Sequence, residues 1–210
     1  QHQRIDVLIN NAGAGFVRTT EQATEEEIQW VLDVNFTGVV RCTKAVLPHM
    51  RQQRSGHIVN ISSIGGLVGQ PFNEIYCAAK FAVEGYTESL ASDVQPAFNI
   101  NFTAVEPGGI RSDFAKNVFA QFADGGGFRE DDYKPLLEKY IGNAQARAAE
   151  SDSGVYQTSE EVAEVVAACI AMENPPVRMR TSEWSETFCR LKTDLDPDGK
   201  KVQAIVSAMI

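Results

Sequence analysis

Little in this chain of 210 residues marks a metal, redox or nucleic-acid protein. Histidine is scarce: His2, His49 and His57 stand far apart, and none joins a cysteine in a ligand cluster. The four cysteines, Cys42, Cys77, Cys169 and Cys189, form no C-x-x-C pair, so reduced thiols and no metal are expected. Positive charge is short as well. Nineteen Lys plus Arg against 28 Asp plus Glu give a formal charge of −9, which repels phosphate backbones and anionic membrane surfaces. No nucleic-acid partner is expected. The longest apolar run of the C-terminal half, Val162 to Met172, falls far short of the ~20 residues of a membrane span and is interrupted by Glu164. No membrane span is expected. A complete dinucleotide fingerprint is also missing, because Gly13-Ala14-Gly15 follows an apolar run but lacks the third glycine. The chain opens on Gln1 with no signal or transit pattern, and the expected setting is cytoplasmic.

What is present is ordinary for a globular fold. At 43% hydrophobic and 22% charged, with 16 Gly and 8 Pro spread along the chain, the composition excludes disorder, collagen and coiled coil. A chain of this length buries enough surface for one large core without disulfides, so residues 1–210 are taken as a single domain. The run Ile5-Asp6-Val7-Leu8-Ile9 is rich in β-branched residues and predicts a strand. Thr24-x-x-Glu27 is a capping box that opens a helical stretch to about Asn35 and, after Gly38, on to about Arg51. His57 to Ile61 and Asn101 to Val105 read as two further buried strands, separated by a helix from about Tyr76 to Ala97. Within that helix Ala78, Ala82, Gly85 and Ser89 share one face, smooth enough for another helix to approach closely. Strands that are apolar throughout and alternate with helices predict an α/β doubly wound parallel sheet of Rossmann type. Residues 113–157 are patterned weakly around Gly125-Gly126-Gly127 and read as a lid or insertion. Thr158 or Ser159 then caps a helix to about Met172, and Val177 to Arg180 reads as a last strand. No element is predicted beyond Trp184.

The chemistry concentrates in Tyr76-x-x-x-Lys80. A spacing of four puts both side chains on one helical face, where an ammonium favours the phenolate and brings the tyrosine nearer to neutral pH as a proton donor or acceptor. Alone, the pair also fits an exposed tyrosine packed on a lysine stem. Ser63, thirteen residues earlier, ends a predicted strand at the carboxyl edge of the sheet, where α/β proteins bind ligands. One of Ser62 and Ser63 is expected to serve only the turn before Gly65-Gly66. Asn10-Asn11-Ala12-Gly13 ends the first strand with short side chains and a glycine, permitting close approach of a flat ligand. Asn35 sits mid-helix, where asparagine is mildly unfavourable, and predicts a kink or a held water.

In this order and spacing, Asn10-Asn11-Ala12-Gly13, Asn35, Ser63, Tyr76-x-x-x-Lys80 and Pro107-Gly108 resemble the short-chain dehydrogenase/reductases. The stretch Gly69 to Gly85 and the later Glu160 to Val165 resemble the branch holding 17β-hydroxysteroid dehydrogenase type 1 and photoreceptor-type retinol dehydrogenase. The resemblance implies an NAD(P)-dependent oxidoreductase that interconverts a hydroxyl and a carbonyl on a lipophilic, steroid- or retinoid-like substrate. Tyr76 is then the general acid or base. Lys80 lowers its pKa and binds the ribose, Ser63 holds the substrate oxygen, and Asn35 fixes a water in a proton relay. Asn11, Ala12, Gly13, Tyr76, Lys80, Pro107, Gly108, Ile110 and Ser112 are the implied cofactor contacts. Ser63, Phe72, Tyr76, Phe114 and Phe119 are the implied substrate contacts. A homodimer or homotetramer is implied, with the long helices paired across an axis.

Two departures shape the expectation. The family's opening strand, T-G-x-x-x-G-x-G loop and cofactor-selecting residue do not occur, so NAD cannot be told from NADP and the chain reads as a fragment whose open sheet edge promotes aggregation. No histidine follows His57, whereas the estrogen-reducing type carries one in its lid, so estrogen specificity is not implied. Phe114, Phe119, Phe122, Phe128 and Tyr133 either line a greasy pocket or only pack the lid. The alternatives are a broad small-carbonyl reductase, a non-catalytic dinucleotide-sensing protein and a mainly assembling surface. A 3-oxoacyl carrier-protein reductase fits poorly, since an acidic partner would meet a chain of charge −9.

Overall fold

The computed structural model describes residues 4–149, 154–201 and 204. Strand β1 (Val7–Asn10) is followed by helix α1 (Glu25–Leu32), a π-helical turn (Asp33–Thr37) and helix α2 (Gly38–Gln53). Strand β2 (Gly56–Ile61) leads through a short 3-10 turn (Ile64–Gly66) into the long helix α3 (Glu74–Phe98) and strand β3 (Ile100–Glu106). Next come β4 (Gly109–Arg111), α4 (Asp113–Asp124), α5 (Lys134–Ala149), β5 (Tyr156–Thr158), α6 (Ser159–Ala171), β6 (Arg178–Arg180) and α7 (Glu183–Thr193).

The main sheet is parallel throughout, in the order β1-β2-β3-β6, and one rung runs Asn10, Asn60, Ala104, Arg178. Its two faces are covered differently. On one, Ile58 and Phe102 meet Met50 of α2 and Ala91 of α3; on the other, Val59 and Val105 meet Val166 of α6. Strands covered on both faces are largely apolar, which is why β2 and β3 carry the apolar runs seen in the sequence. Burying each such side chain stabilises the fold by about 1.5–3 kcal/mol. Two of the polar exceptions, Asn10 and Asn60, are joined by a hydrogen bond. Asn10 donates to Asn60 Oδ1 at 2.8 Å, Asn60 donates to Thr87 Oγ1 at 2.9 Å, and Thr87 donates to Val83 O at 2.7 Å. This buried thread ties β1 and β2 to α3, and each link contributes about 1 kcal/mol.

Several expectations are refined. Gly38 does not break the first helix; the chain passes through the π-helical turn instead, and Asn35 lies within it. Thr158 rather than Ser159 is the cap of α6, completing a box with Glu161. Strands β4 and β5 pair in parallel as a separate two-stranded sheet, Gly109 opposite Tyr156, which the sequence did not suggest. Beyond Trp184, where no element was predicted, α7 forms with Ser182 as its cap. Within the segment 113–157 the described residues include helices α4 and α5. Among the described residues no helix is long and apolar enough to cross a membrane, and no group of His, Cys, Asp and Glu could hold a metal ion.

Candidate active site

Three segments converge at the carboxyl edge of the sheet: the turn after β1, the turn after β2 and the first turns of α3. Ser63 leaves β2 in extended conformation and its Oγ accepts from Gly65 N at 3.0 Å, capping the 3-10 turn. The same hydroxyl stands close enough to Tyr76 to favour its phenolate. Ser63 therefore combines turn chemistry with a place beside the phenol, while the buried Ser62 sets its hydroxyl beside Glu84. Tyr76 belongs to α3 because Asn73 starts the helix and Cys77 N donates to Asn73 O at 2.7 Å. Tyr76 is half-buried, and desolvation pushes the phenol up to about 12 against the opposing effect of Ser63.

Lys80 lies one turn on and is 4% exposed. Its Nζ stands 5.8 Å from the Tyr76 ring centroid and donates to Ile61 O at 2.9 Å, which uses one of its three donors. Burial brings this ammonium down to about 8. The expected lowering of the Tyr76 pKa by Lys80 is not what this geometry gives; desolvation governs the phenol, and the ammonium turns towards the strand end.

Asn35 is wholly buried behind the first turn. Its Oδ1 accepts from Ala14 N at 3.1 Å, and its Nδ2 donates to Ala14 O at 2.9 Å and Val31 O at 3.0 Å. Both amide hydrogens are thus spent on the protein, leaving only acceptor capacity for a water. A Cβ built on Gly13 would lie 3.2 Å from Asn35 Oδ1 and 3.5 Å from Lys80 Nζ, so glycine keeps the turn close to both.

A cavity of about 1070 Å³ opens in front of these groups. Asn11, Gly13, Ser63, Tyr76, Lys80, Pro107, Gly108, Ile110, Ser112, Phe114 and Phe119 all border it. Ser112 also caps α4, its Oγ accepting from Phe114 N at 3.3 Å. Ala12 and Asn35 stand outside the lining, next to residues that form it. Phe72 also stands back: with φ at +58° it packs its ring on Tyr140, centroids 5.2 Å apart, and Tyr140 forms the wall. The aromatics of the 113–157 segment divide. Phe114 and Phe119 face the cavity; Phe122 and Phe128 pack together at 5.1 Å; Tyr133 bonds Glu21 at 2.9 Å on the outside.

Sequence reasoning missed three features. Val17, Val118 and Ile141 complete the apolar wall. Arg18, 2% exposed, crosses to the α4–α5 turn and donates to Gly125 O at 2.7 Å and Gly127 O at 3.0 Å. Glu84 and Glu106 lie buried behind Lys80. Their one signal was Glu84 falling four residues after Lys80, on the same inward face of an otherwise apolar stretch.

Residues 1–123 match the short chain dehydrogenase family model. The chain is 40% identical to a 3-ketodihydrosphingosine reductase of Bacteroides thetaiotaomicron over 96% of its own length and 72% of that protein's. It is 39% identical to retinol dehydrogenase 8 of Bos taurus (95% and 62%) and 35% identical to 17-beta-hydroxysteroid dehydrogenase type 1 of Homo sapiens (93% and 58%). Among solved structures, a short chain dehydrogenase/reductase of Burkholderia phymatum in complex with NAD superimposes with TM-score 0.72 at 25% identity, covering 90% of this chain and 65% of that one. The chain thus spans between about three fifths and three quarters of the length of these relatives. A family match over more than half of its residues, together with relatives sharing over a third of their aligned positions, makes this chain a member of the short-chain dehydrogenase/reductase family.

Proposed function

We propose that the chain carries the proton-transfer and substrate half of a nicotinamide-dependent oxidoreductase acting on a lipophilic alcohol or ketone of steroid, retinoid or similar type. The observation that supports this best is the placement of Ser63 beside Tyr76 at the wall of an apolar cavity, with Lys80 one turn away. The residues present fit a nicotinamide riboside: Gly13 keeps the β1 turn low beside Lys80 Nζ, and Asn11, Pro107 and Ile110 border the same space. Asn11, Gly13, Lys80, Pro107, Gly108, Ile110 and Ser112 would hold it, with Ala12 in the turn between. Such a cofactor supplies or accepts the hydride.

The protein's own part is orientation and one proton. Ser63 Oγ and Tyr76 Oη can meet a substrate oxygen together, since both residues border the same cavity side by side. At neutral pH a phenol pushed up to about 12 keeps its proton, so that Tyr76 is ready to donate it to a substrate carbonyl. Asn35 fixes the turn after β1 rather than touching substrate. Helices α4 and α5 form a substrate lid whose Phe114, Phe119 and Ile141 exclude water. The exposed face of α3 at Ala78, Gly85 and Ser89 suits pairing of two chains.

The test is Tyr76→Phe in the full-length protein. Turnover is expected to fall 10²- to 10⁴-fold while NAD(P)H binding, read by fluorescence, stays within about twofold. Turnover that survives would favour a dinucleotide sensor or a different proton donor. A panel of a steroid ketone, a retinal, a long-chain 3-keto amine and a small aldehyde, each with NADH and NADPH, then assigns substrate class and cofactor. Preference for the small aldehyde would replace the lipophilic reading with that of a broad carbonyl reductase.

A further inference from the structure

Behind Lys80 lies a buried cluster that the proposed chemistry leaves unused. Glu84 is one turn further along α3 and 5% exposed; Glu106 ends β3 and is fully buried; Ser62 directly precedes Ser63. Both oxygens of Glu84, Glu106 Oε1 and Ser62 Oγ lack a conventional hydrogen-bond partner, yet the Glu84 carboxyl adjoins both Ser62 and Glu106. Two ionised carboxylates without a donor between them are strongly disfavoured, whereas one proton satisfies both. The proton's place is set by what lies behind. Glu106 Oε2 accepts from Arg180 Nη1 at 3.1 Å, and Arg180 Nε in turn reaches Glu186 at 2.6 Å. Glu106 therefore remains the ion, and Glu84 is the acid. Burial, reinforced by Glu106, holds the Glu84 carboxyl well above the usual carboxylate range.

The groups that face Glu84 are Lys80 on its own helix, Glu106 and Ser62 at the two strand ends, Arg178 on β6 and Cys189 on α7. Arg178 is itself shared with Glu88 at 3.3 Å and Asp196 at 3.6 Å. Glu84 also presses on the turn that follows Ser63. A Cβ on Gly66 would lie 2.6 Å from Ser62 Oγ, 3.0 Å from Glu84 Cγ and 3.1 Å from Glu84 Oε1. That turn is joined to the next strand end by Ser62 N donating to Val105 O at 2.7 Å and Ile64 N to Pro107 O at 3.0 Å.

We propose that Glu84 is a positioning residue held as a neutral acid, whose hydroxyl donates a hydrogen bond to the ionised Glu106, so that α3 clamps the Ser63 turn to the strand end carrying Pro107. The inference rests on Ser63, Tyr76 and Lys80 being the reacting set, but its test does not depend on turnover alone.

The experiment compares the full-length protein with Glu84→Gln and Glu84→Ala. At pH 7 the infrared spectrum of the wild type is expected to show a protonated-carboxyl band that Glu84→Gln removes and the exposed control Glu74→Gln keeps. The folded protein holds this proton where the unfolded chain releases it, so stability should decline as pH rises above the ordinary glutamate range. Glu84→Gln should flatten that decline. With cofactor bound, Glu84→Ala is expected to lower kcat about tenfold to a hundredfold with little change in KM, and Glu84→Gln to recover most of the loss. A missing band, or an unchanged pH slope in Glu84→Gln, overturns the proposal even if Glu84→Ala fails to fold. Loss in Glu84→Gln equal to that in Glu84→Ala, with a shifted basic limb of the rate profile, overturns it too. Turnover that survives Tyr76→Phe sinks the catalytic reading alone and leaves band and slope as they were.

Discussion

The Lys80 ammonium lies 2.9 Å from the carbonyl oxygen of Ile61, the last residue of β2, so the cation is anchored to the strand end rather than to the phenol one turn before it. Burial brings it from 10.5 down to about 8, and its charge is therefore lost as pH rises through that value. Carbonyl reduction by the full-length enzyme should decline above about pH 8, and Lys80→Arg should move that limb beyond the measurable range, because a guanidinium does not titrate there. The stability sign is the opposite. A lysine with a lowered folded pKa costs stability below about pH 8 and is relieved between there and 10.5. Lys80→Met should remove this rise in thermal stability; a profile identical to the wild type would contradict the burial of a charged Lys80.

Arg18 joins the loop after β1 to the α4–α5 turn. Beyond its bonds to Gly125 and Gly127, its guanidinium lies 5.1 Å from the Phe122 ring centroid and 3.8 Å from Glu27, so one side chain holds the far end of α4 by several contacts. Arg18→Met keeps the stem but drops the donors. The expected loss is about 2 kcal/mol of stability, with KM for a lipophilic substrate rising several-fold while cofactor affinity holds. Equal weakening of cofactor and substrate would mean that Arg18 supports the whole cavity rather than the lid.

How much of this was legible in the sequence follows from the range of each interaction. Strands β1, β2 and β3 and the caps at Thr24 and Thr158 depend on periodicity or on partners three residues away, and both kinds of signal are local. The Tyr76–Lys80 spacing was equally readable. The β4–β5 pairing was not, because three-residue strands 47 positions apart carry no pattern of their own. Helix α7 escaped because its aromatic residues, Trp184 and Phe188, stack on each other at 5.0 Å and Phe188 stays exposed, which blurs the apolar stripe. At the site, Asn35 announced a kink, yet its bonds to Ala14 required the fold. Glu84 and Glu106 are 22 residues apart, and only the crossing of α3 over β3 brings them together.

His57 supplies a test of the core that does not involve catalysis. Its Nε2 is 2.9 Å from Thr103 Oγ1, and that hydroxyl donates to Pro176 O at 2.6 Å, so the imidazole is the donor and is neutral. Burial lowers it from 6.5 to about 4. The unfolded chain binds a proton in that window that the folded one refuses, so stability is lost as pH falls from 6.5 towards 4, by about 3 kcal/mol. His57→Gln should abolish this component. Chemical denaturation at pH 7 and pH 4.5 measures it as a difference between variant and wild type, which separates it from the opposite slope of Glu84.

Gly15 places the first turn directly against α4. A Cβ there would fall 2.4 Å from Val118 Cγ2 and 2.8 Å from Phe114 Cε1, distances that real side chains do not adopt. Both atoms belong to α4 side chains that border the cavity, and neither is backbone, so Gly15→Ala must push the wall rather than the sheet. The overpacking should cost about 1–3 kcal/mol and leave the fold intact. Its functional signature is selective: kcat/KM for a steroid- or retinoid-sized carbonyl should fall about tenfold, while a small aldehyde and the cofactor are spared. Equal losses for large and small substrates would show that Phe114 and Val118 do not bound the substrate, and that α4 is packing alone.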